Sequence, residues 1–528
     1  MNSKMRNSVA AHFASILALL FLQAAIGQQA AVKAPVVTIA SGQLSGVRQG
    51  TIDEFYGIPY AAPPVGENRW RAPKPVASWQ GIRHADHFSA NCYQQANPTA
   101  FGPWTHEYLI SGPVSEDCLY LNVWAPAKAH KAAVLVWIHG GAFTSGSGSI
   151  PIYSGAEFAK QGIVVVTINY RLGLFGFFAH PDLTREAGSA PPANFGLQDM
   201  IAALQWVQKN IAAFGGDPAA VTISGQSAGS MAVHDLLVAP AARGLFRAAI
   251  AESGLPGVMT AVQLADAEKR GLEFARSKGA NSIADLRAIS SEELAGKGAT
   301  QMFGPCVDGV LLPESPEELN AKGKFAPVPL LLGQTAAESS AMGNAWHASS
   351  KEDFDHLLTA RFGDKAPVFA ALYPATDDTQ RAAATKAVLR DRGLASIYRW
   401  ARTHERNGAP PIYTYLFEHV EPGPESARWN AFHSSEIPYV FETLDAAPER
   451  GFTDLDRSIS KTISHYWLNF IRTGNPNSTG LPSWPRFQVA APTMMVVGDH
   501  IGSSELLPGN ILKAYVGYAD AGGQLSQF

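Results

Sequence analysis

The sequence predicts an α/β protein built on a large, mostly parallel sheet flanked by helices. Two short runs, residues 133–138 and 163–168, are continuously apolar, as strands buried on both faces of a parallel sheet are. Helical patterns alternate with runs of this kind along much of the chain. The chain has 528 residues, of which 46% are hydrophobic and 16% charged, so it can bury a large core.

The order of the predicted elements follows from these patterns. Short antiparallel strands are predicted near the N-terminus, at residues 36–39, 42–48 and 55–60. The strands of the main sheet follow at 119–124, 133–138, 163–168, 220–223, 247–251, 328–332, 412–417 and 494–497, and the last of these is expected to close the sheet. Helices are predicted at 197–211, after residue 229, and within 260–293, 351–406 and 455–472.

The first 27 residues differ in kind from the rest of the chain. Lys4 and Arg6 precede an apolar run at residues 9–22, and small residues follow it up to Gly27, which is the pattern of a cleavable secretory signal peptide. The run is too short for a membrane span. We therefore expect a secreted or periplasmic protein in which residues 28–528 form a single domain, since no repeat or linker divides them.

The charge of the chain argues against nucleic acid and membrane surfaces as partners, and the spacing of its histidines argues against a metal site. The formal net charge is −4, and no cluster of lysine and arginine could follow a phosphate backbone or an anionic membrane surface. We expect neither nucleic acid nor membrane insertion. His84 and His87 lack a third ligand nearby, so a surface loop is a better interpretation than a metal site, and no metal or cofactor is expected.

The three cysteines fit an oxidising compartment, where one disulfide and one free thiol are the simplest arrangement. Cys92 and Cys118 are closest in sequence and are the predicted pair. Cys306 is expected to be a small buried apolar residue rather than a nucleophile.

A nucleophile elbow is predicted where a strand passes into a helix, at Gly225-Gln226-Ser227-Ala228-Gly229. In this turn the serine is aimed outward, and the flanking glycines allow the strand and the helix to pack closely. The motif alone would equally suit an ordinary glycine turn. The stretches that could activate Ser227 decide between the two interpretations.

Three stretches could serve such a serine. Gly140-Gly141-Ala142 follows a buried strand, and its backbone N–H groups could hold an oxyanion together with that of Ala228. A flexible turn or a phosphate loop is the alternative, but no lysine follows at the spacing of a phosphate loop. Glu338 follows a strand, and His433 lies in a late loop. Their order along the chain, serine, acid and histidine, is the order expected for a triad on an elbow serine.

The chain resembles the type-B carboxylesterases of the α/β-hydrolase superfamily, including the bacterial para-nitrobenzyl esterases. The resemblance runs through nearly the whole mature chain and rests on the motifs Phe55-Tyr56-Gly57-Ile58-Pro59-Tyr60-Ala61, Ser115-Glu116-Asp117-Cys118-Leu119-Tyr120-Leu121-Asn122-Val123, Asn169-Tyr170-Arg171, Ala203-Leu204-Gln205-Trp206-Val207, Phe214-Gly215-Gly216-Asp217-Pro218, Ala251-Glu252-Ser253-Gly254, Trp467-Leu468-Asn469-Phe470 and Gly474-Asn475-Pro476. It implies an α/β-hydrolase fold and the hydrolysis of carboxylic esters.

Carried over residue by residue, the resemblance implies roles for the residues of the site. Ser227 would be the nucleophile, Glu338 the triad acid and His433 the base. The remaining implied roles are an oxyanion hole from Gly141, Ala142 and Ala228, a disulfide between Cys92 and Cys118, and a place behind the triad for Ser253.

The chain also departs from the family pattern. Gln226 stands where many members have a glutamate, so choline esters are not expected as substrates. Ala142 replaces the third glycine of the oxyanion loop but still offers its N–H. Ala337 and Ser339 replace the usual aspartate and glycine, which leaves Glu338 as the only carboxylate in register.

We expect a secreted serine hydrolase that cleaves small-molecule esters through an acyl-enzyme. A lipase or an aryl-ester specialist is the alternative, and a non-catalytic binding protein like the neuroligins is disfavoured because the elbow serine is present. Residues 101–110, with Trp104 and Tyr108, are candidates to shape the pocket, together with Trp346 and Arg390-Asp391-Arg392. Arginines that reached the pocket would favour esters with a free carboxylate. The natural substrate and the oligomeric state stay open.

Overall fold

The structure is a computed structural model that describes residues 34–95, 101–255, 262–296 and 303–525. The predicted signal peptide, residues 1–27, lies outside the described residues. In chain order the strands β1 to β18 are Val36–Ile39, Gly42–Ser45, Val47–Gln49, Ile52–Pro59, Ile82–His84, Asn91–Cys92, Val114–Ser115, Tyr120–Pro126, Ala132–Ile138, Val164–Ile168, Gly216–Gln226, Ala248–Glu252, Val262–Gln263, Cys306–Val307, Leu330–Thr335, Ile412–Phe417, Thr493–Val497 and Ile501–Glu505.

The helices are numbered in the same way. The α-helices α1 to α16 are Ala156–Lys160, Gly173–Phe177, Pro181–Ala187, Phe195–Asn210, Ala228–Val238, Leu264–Ser277, Ile283–Ala288, Ser291–Leu294, Pro316–Ala321, Lys351–Phe362, Ala366–Leu372, Asp378–Arg406, Ser426–Trp429, Ile437–Val440, Asp454–Thr473 and Gly509–Asp520. Short 3₁₀ turns lie at Gly66–Asn68, His106–Tyr108, Pro151–Tyr153, Ile211–Phe214, Pro240–Ala242, Ala345–His347, Gly363–Lys365, Leu444–Ala446 and Pro448–Arg450.

One sheet of eleven strands organises the described part of the molecule. Its strand order is β18-β17-β16-β15-β12-β11-β9-β10-β8-β4-β3. Every pairing from β17 across to β10 is parallel, whereas β8, β4 and β3 at one edge and β18 at the other pair antiparallel. This is the α/β-hydrolase architecture, and the predicted fold class is confirmed.

The apolar runs form strands because both faces of the sheet are covered. All five residues of Val164–Ile168 are buried, as predicted for this strand. In β9, Val136 packs into the core that contains helix α4, and Trp137 packs into the opposite core that contains helix α15. A strand of this kind has no solvent side, so its sequence shows no alternation.

Two predictions about the sheet edges are wrong. The strand predicted at 494–497 does not close the sheet, because β18 (Ile501–Glu505) pairs antiparallel on its outer side. Three of the five residues of β18 are exposed, so it lacks the apolar pattern that reveals a strand. His84, expected in a surface loop with His87, is the last residue of β5, which lies in a separate sheet with β1 and β2.

The predicted helical region 260–293 is divided into α6, α7 and α8, and residues 260–261 lie outside the described ranges. Ser282 caps α7 with its side chain, so the sequence restarts a helix there rather than continuing one. In the described ranges, no helix is both long enough and apolar enough to cross a membrane.

The predicted disulfide between Cys92 and Cys118 is present, with the two Cα atoms 4.8 Å apart. It closes a loop that spans 26 positions. Beside it, the guanidinium of Arg69 donates to both carboxylate oxygens of Glu116, which places a largely buried ion pair next to the disulfide. Cys306 is buried, and burial raises the pKa of its thiol to about 12, which keeps it in the unreactive thiol form.

Candidate active site

Ser227 lies between the end of β11 and the start of α5, as the elbow motif predicts. Its φ of 59° is in the left-handed region that a residue with a side chain seldom adopts. The Ser227 N–H donates to the carbonyl of Glu252 at 2.8 Å, which holds this strained conformation. Ser227 is partly exposed, although Gln226 and Ala228 on either side are buried. The turn therefore presents the serine to solvent.

The two glycines of the elbow have no space for a side chain. A Cβ added to Gly225 would lie 2.5 Å from the backbone of Gly229, and one added to Gly229 would lie 2.0 Å from the carbonyl oxygen of Ile138. Strand β11, helix α5 and the end of strand β9 therefore meet backbone to backbone. This close packing accounts for both glycines of the motif.

The predicted oxyanion loop lies directly against the elbow. A Cβ added to Gly140 would lie 3.0 Å from the Cβ of Ser227. Gly141, Ala142 and Phe143 all have positive φ, of 103°, 53° and 59°. Among the hydrogen bonds of the described residues, none is donated by the N–H of Gly141 or Ala142. The N–H of Ala228, the first residue of α5, has no partner inside the helix either.

Glu338 and His433 form a buried pair. Nδ1 of His433 makes a short hydrogen bond to Oε2 of Glu338, and each residue is less than 5% exposed. The N–H of Thr335 donates to the other carboxylate oxygen at 2.7 Å. The loops after β15 and β16 are tied together because the N–H of Ala337 donates to the carbonyl of Ala431 at 3.0 Å. The two predicted residues are thus brought together from 95 positions apart.

Gln226 places its side chain against the same imidazole. Its amide nitrogen lies 3.2 Å from Nε2 of His433, and the residue is buried. With its hydrogen on Nδ1 toward Glu338, the imidazole would offer Nε2 as an acceptor. The residue that departs from the family pattern is therefore in direct contact with the predicted base.

A second layer of acidic groups lies behind the pair. Oγ of Ser253 donates to Glu436 at 3.1 Å, and Ser253 has a positive φ of 55°. Glu252 accepts from Ser224 at 3.2 Å and from the indole N–H of Trp467 at 2.9 Å. Ser253 is thus bonded to Glu436, three positions after His433 in the sequence.

Burial sets the protonation of these two glutamates. Desolvation raises the pKa of Glu252 to about 7. It raises the pKa of Glu436 well above its usual range, and the negative charges of Glu252 and Glu338 raise it further. Burial therefore favours the protonated form of both glutamates relative to an exposed carboxyl group.

Neither Glu252 nor Glu436 was predicted as a site residue. Both stand in quoted or neighbouring motifs, Glu252 directly before Ser253 and Glu436 three positions after His433. That short spacing from two predicted residues is the signal that could have found them. The contact of Glu252 with Trp467 of the distant helix α15 is a tertiary contact, which no local pattern shows.

The aromatic loop, residues 101–110, which we predicted as a candidate to shape the pocket, contacts the segment that carries His433. The indole N–H of Trp104 donates to the carbonyl oxygen of His433 at 3.2 Å. Tyr108 packs edge-on against Phe432, the residue before His433. Phe101 stacks parallel to Trp104 and is 58% exposed, so this loop presents an apolar ring to solvent.

The other proposed pocket residues lie elsewhere. Asp391 is bonded by Arg390 and by the hydroxyl of Tyr373, and Arg392 lies over the ring of Phe362 in the packing of α10 against α12. The idea that these arginines select esters with a free carboxylate therefore has no support in the structure. Trp346 is buried beneath Lys386 of α12.

The histidines of the predicted surface loop have local partners. His84 is hydrogen bonded to Ser45, and His87 to Asp86. Within the described ranges, one group of three possible metal ligands comes together, at His106, Glu107 and Glu449. Its buried member Glu107 is paired with Arg450.

Comparisons with known proteins show to which family the chain is similar. A model of the carboxylesterase family matches residues 33–505. The para-nitrobenzyl esterase of Bacillus subtilis (strain 168) is 37% identical over 488 residues, which cover 88% of this chain and 95% of the relative. The fumonisin B1 esterase of Sphingopyxis macrogoltabida is 34% identical over 481 residues, covering 88% and 86%. The cocaine esterase of Homo sapiens is 34% identical over 506 residues, covering 89% and 88%.

Solved structures give the same result. A PNB esterase structure matches with a TM-score of 0.78 and 33% identity over 92% of this chain and 99% of that chain. A thermophilic PNB esterase matches with a TM-score of 0.77 and 32% identity over 92% and 100%.

Proposed function

This chain belongs to the carboxylesterase family and is a carboxylic-ester hydrolase, and from that premise we propose that it works through an acyl-enzyme on Ser227. Oγ of Ser227 attacks the ester carbonyl while Nε2 of His433 takes its proton. Glu338 holds the Nδ1 hydrogen and stabilises the imidazolium that forms. The carbonyl oxygen becomes an oxyanion.

The oxyanion is stabilised by the backbone N–H groups of Gly141, Ala142 and Ala228. When the tetrahedral intermediate collapses, the C–O bond to the alcohol breaks and His433 gives its proton to the leaving alkoxide. A water molecule then attacks the acyl-enzyme, His433 takes a proton from it, and the acid leaves as Ser227 regains its hydrogen.

The observation that carries this proposal is the buried hydrogen bond between Glu338 and His433 beside the strained elbow. A pair of this kind orients an imidazole at a fixed place and supports its charge. The oxyanion loop packed on Ser227 supplies the remaining requirement, since N–H groups without an acceptor are available there.

The test is the variant Ser227→Ala, with Ser230→Ala as the matched control. Ser230 lies on the same helix and donates to the carbonyl of Gly254. Ser227→Ala should lower kcat for p-nitrophenyl acetate about 10⁴-fold or more. It should also abolish covalent labelling by a fluorophosphonate, whereas Ser230→Ala keeps both. Substantial turnover by a folded Ser227→Ala variant would contradict the proposal.

For the substrate we propose uncharged esters with an apolar or aromatic group rather than choline esters. Gln226 leaves the neighbourhood of His433 without the carboxylate that would attract a cation. The exposed ring of Phe101 favours an aryl-ester preference among the alternatives. The names of the relatives suggest para-nitrobenzyl esters, fumonisin B1 and cocaine as members of a test panel.

A panel that varies the acyl and alcohol groups, with acidic, cationic and emulsified long-chain members, separates the alternatives. Highest kcat/KM on aromatic esters supports the aryl preference. Highest activity on emulsified long-chain esters would make the protein a lipase and contradict it.

We also propose that residues 1–27 direct export and are removed. The basic and apolar pattern of this segment supports the proposal, and a disulfide is consistent with an oxidising compartment. N-terminal sequencing of the protein from the cell exterior or periplasm should begin close to residue 28. An intact N-terminus on cytosolic protein would contradict it.

A further inference from the structure

Trp104 joins the aromatic loop to the backbone of the predicted base. Its indole N–H donates to the carbonyl oxygen of His433 at 3.2 Å, across 329 positions of sequence. The ring also packs edge-on against Phe432, with centroids 6.3 Å apart and planes at 88°. His433 is thus bonded at two places. Its imidazole is bonded to Glu338, and its backbone carbonyl oxygen accepts from Trp104.

Arg450 holds the residues on both sides of Trp104. Its guanidinium donates at 2.7 Å to the carbonyl of Pro103 and at 2.7 Å to the hydroxyl of Thr105. A single planar group with several N–H donors can make these bonds at once, which a lysine cannot do with the same geometry. The position of Trp104 therefore depends on Arg450.

Arg450 is itself firmly placed. It pairs with Glu107 through Nε at 2.7 Å and with Glu421 through Nη1, and both carboxylates are buried. Its guanidinium also lies 6.0 Å from the ring centroid of Phe432. The same arginine thus contacts the aromatic loop and the strand-end loop that carries His433, and it fixes one relative to the other.

We propose that Trp104 is a positioning residue of the ester hydrolysis, which keeps the His433 backbone in place so that its imidazole stays aimed at Ser227, and that Arg450 keeps Trp104 in this position. The inference rests on the proposed function of Ser227 and His433. It adds a requirement outside the triad, because a base that drifts by a fraction of an ångström loses much of its rate advantage.

The first test replaces Trp104 by phenylalanine, with Trp206→Phe as the matched control. Trp206 is a buried tryptophan of helix α4, and its indole N–H has no partner among the described residues. Trp104→Phe should lower kcat for p-nitrophenyl acetate about 3- to 10-fold, the effect of one lost hydrogen bond. KM should change less than about twofold, because the substrate contacts remain.

A second readout reports on Ser227 activation without turnover. The rate constant for fluorophosphonate labelling of Ser227 should fall by the same factor as kcat, while Trp206→Phe keeps the wild-type rate. Incorporating benzothienylalanine at position 104, a tryptophan isostere without the N–H, should reproduce the loss and separate it from ring size. Unchanged kcat and labelling rates in both Trp104 variants would overturn the proposal.

The link to Arg450 is tested by Arg450→Lys, which keeps the charge beside Glu107 and Glu421. It should lower kcat like Trp104→Phe, and the double variant should be no slower than the slower single variant, because both act through one contact. Multiplicative losses would overturn the role of Arg450. The two proposals fail on different results. Turnover retained by Ser227→Ala would contradict the proposed function. An inactive Ser227→Ala variant together with unchanged rates in the Trp104 variants would contradict only the inference about Trp104.

Discussion

Two buried glutamates at the site, Glu338 and Glu436, have the same side chain in contrasting surroundings. Glu338 accepts the N–H of Thr335 and pairs with the imidazole of His433. Glu436 accepts from the hydroxyl of Ser253, and its other carboxylate oxygen has no partner among the described residues. A buried carboxylate keeps its charge only where donors or a cation compensate for its lost hydration. Burial, with the negative charges of Glu252 and Glu338, raises the pKa of Glu436 well above its usual range, so the two glutamates are expected to act differently.

The most direct test of this difference between Glu338 and Glu436 is to replace each glutamate in turn by glutamine. Glu338→Gln should lower kcat about 10³- to 10⁴-fold, because the amide cannot stabilise the imidazolium. Glu436→Gln should keep kcat within about threefold, because glutamine resembles the protonated acid already present. Steady-state kinetics on p-nitrophenyl acetate measures both. Equal losses in the two variants would show that both glutamates act as anions.

The pH dependence of stability extends the comparison to Glu252. Its pKa is raised to about 7 by burial, so the folded state binds the proton more tightly than the unfolded chain does. The stability from this proton is complete below the ordinary pKa of a glutamate and is lost as the pH rises through about 7. Between pH 5 and pH 8, wild type should therefore lose up to about 3 kcal/mol of unfolding free energy relative to Glu252→Gln.

Urea unfolding of both proteins at the two pH values measures this difference. The comparison with the variant removes the contribution of other titrating groups, such as Glu421, whose pKa burial raises to about 8. A difference between the two proteins that does not change with pH would show that Glu252 is ionised throughout.

A new carboxylate at position 226 would test whether a third buried acid at the site acts as an anion or stays neutral. In Gln226→Glu the carboxylate would lie against His433 and should be ionised, since a cation can form beside it. It should raise kcat/KM for acetylthiocholine about tenfold relative to S-3,3-dimethylbutyl thioacetate, its uncharged analogue of the same shape. An unchanged ratio would mean that the new acid is neutral, like Glu436.

The smallest expected effect concerns the one hydroxyl that donates to Glu436. Ser253→Ala should lower the free energy of unfolding by about 1 kcal/mol, because a buried hydrogen bond is lost. The variant should keep kcat within about threefold if Glu436 is neutral, since no charge is left uncompensated. Thermal unfolding and kinetics of one preparation provide both values. A large fall in kcat without a change in stability would contradict the structural role.

The sequence predicted those parts of the fold that a local pattern determines. The strand Ile412–Phe417 was predicted with its observed bounds because an apolar run between two faces of core has clear ends. The outer strand Ile501–Glu505 was not predicted, since its small and polar residues gain their partner only from the neighbouring strand. Strands at the edge depend on pairing rather than on burial, and pairing is not visible in one sequence.

For the candidate site, the same distinction applies. The elbow and the oxyanion loop can be recognised in the sequence because tight turns restrict residue types, as at Gly225 and Gly229. Glu338 and His433 were predicted from chain order and the family resemblance, and the structure brings them together. The raised pKa of Glu436 and the bond from Trp104 to His433 arise from packing between distant segments, which no spacing rule describes.

The disulfide between Cys92 and Cys118 has a consequence for preparing the enzyme. The loop that it closes contains Trp104. If Trp104 positions His433 as proposed above, reducing the two cysteines would also affect the position of the His433 backbone. Protein folded in a reducing host would carry this loop without its covalent closure, and the freed segment gains conformational entropy. The specific activity per folded molecule should then depend on the fraction of protein that has formed the disulfide. Two batches with equal yield but different disulfide content would differ in turnover.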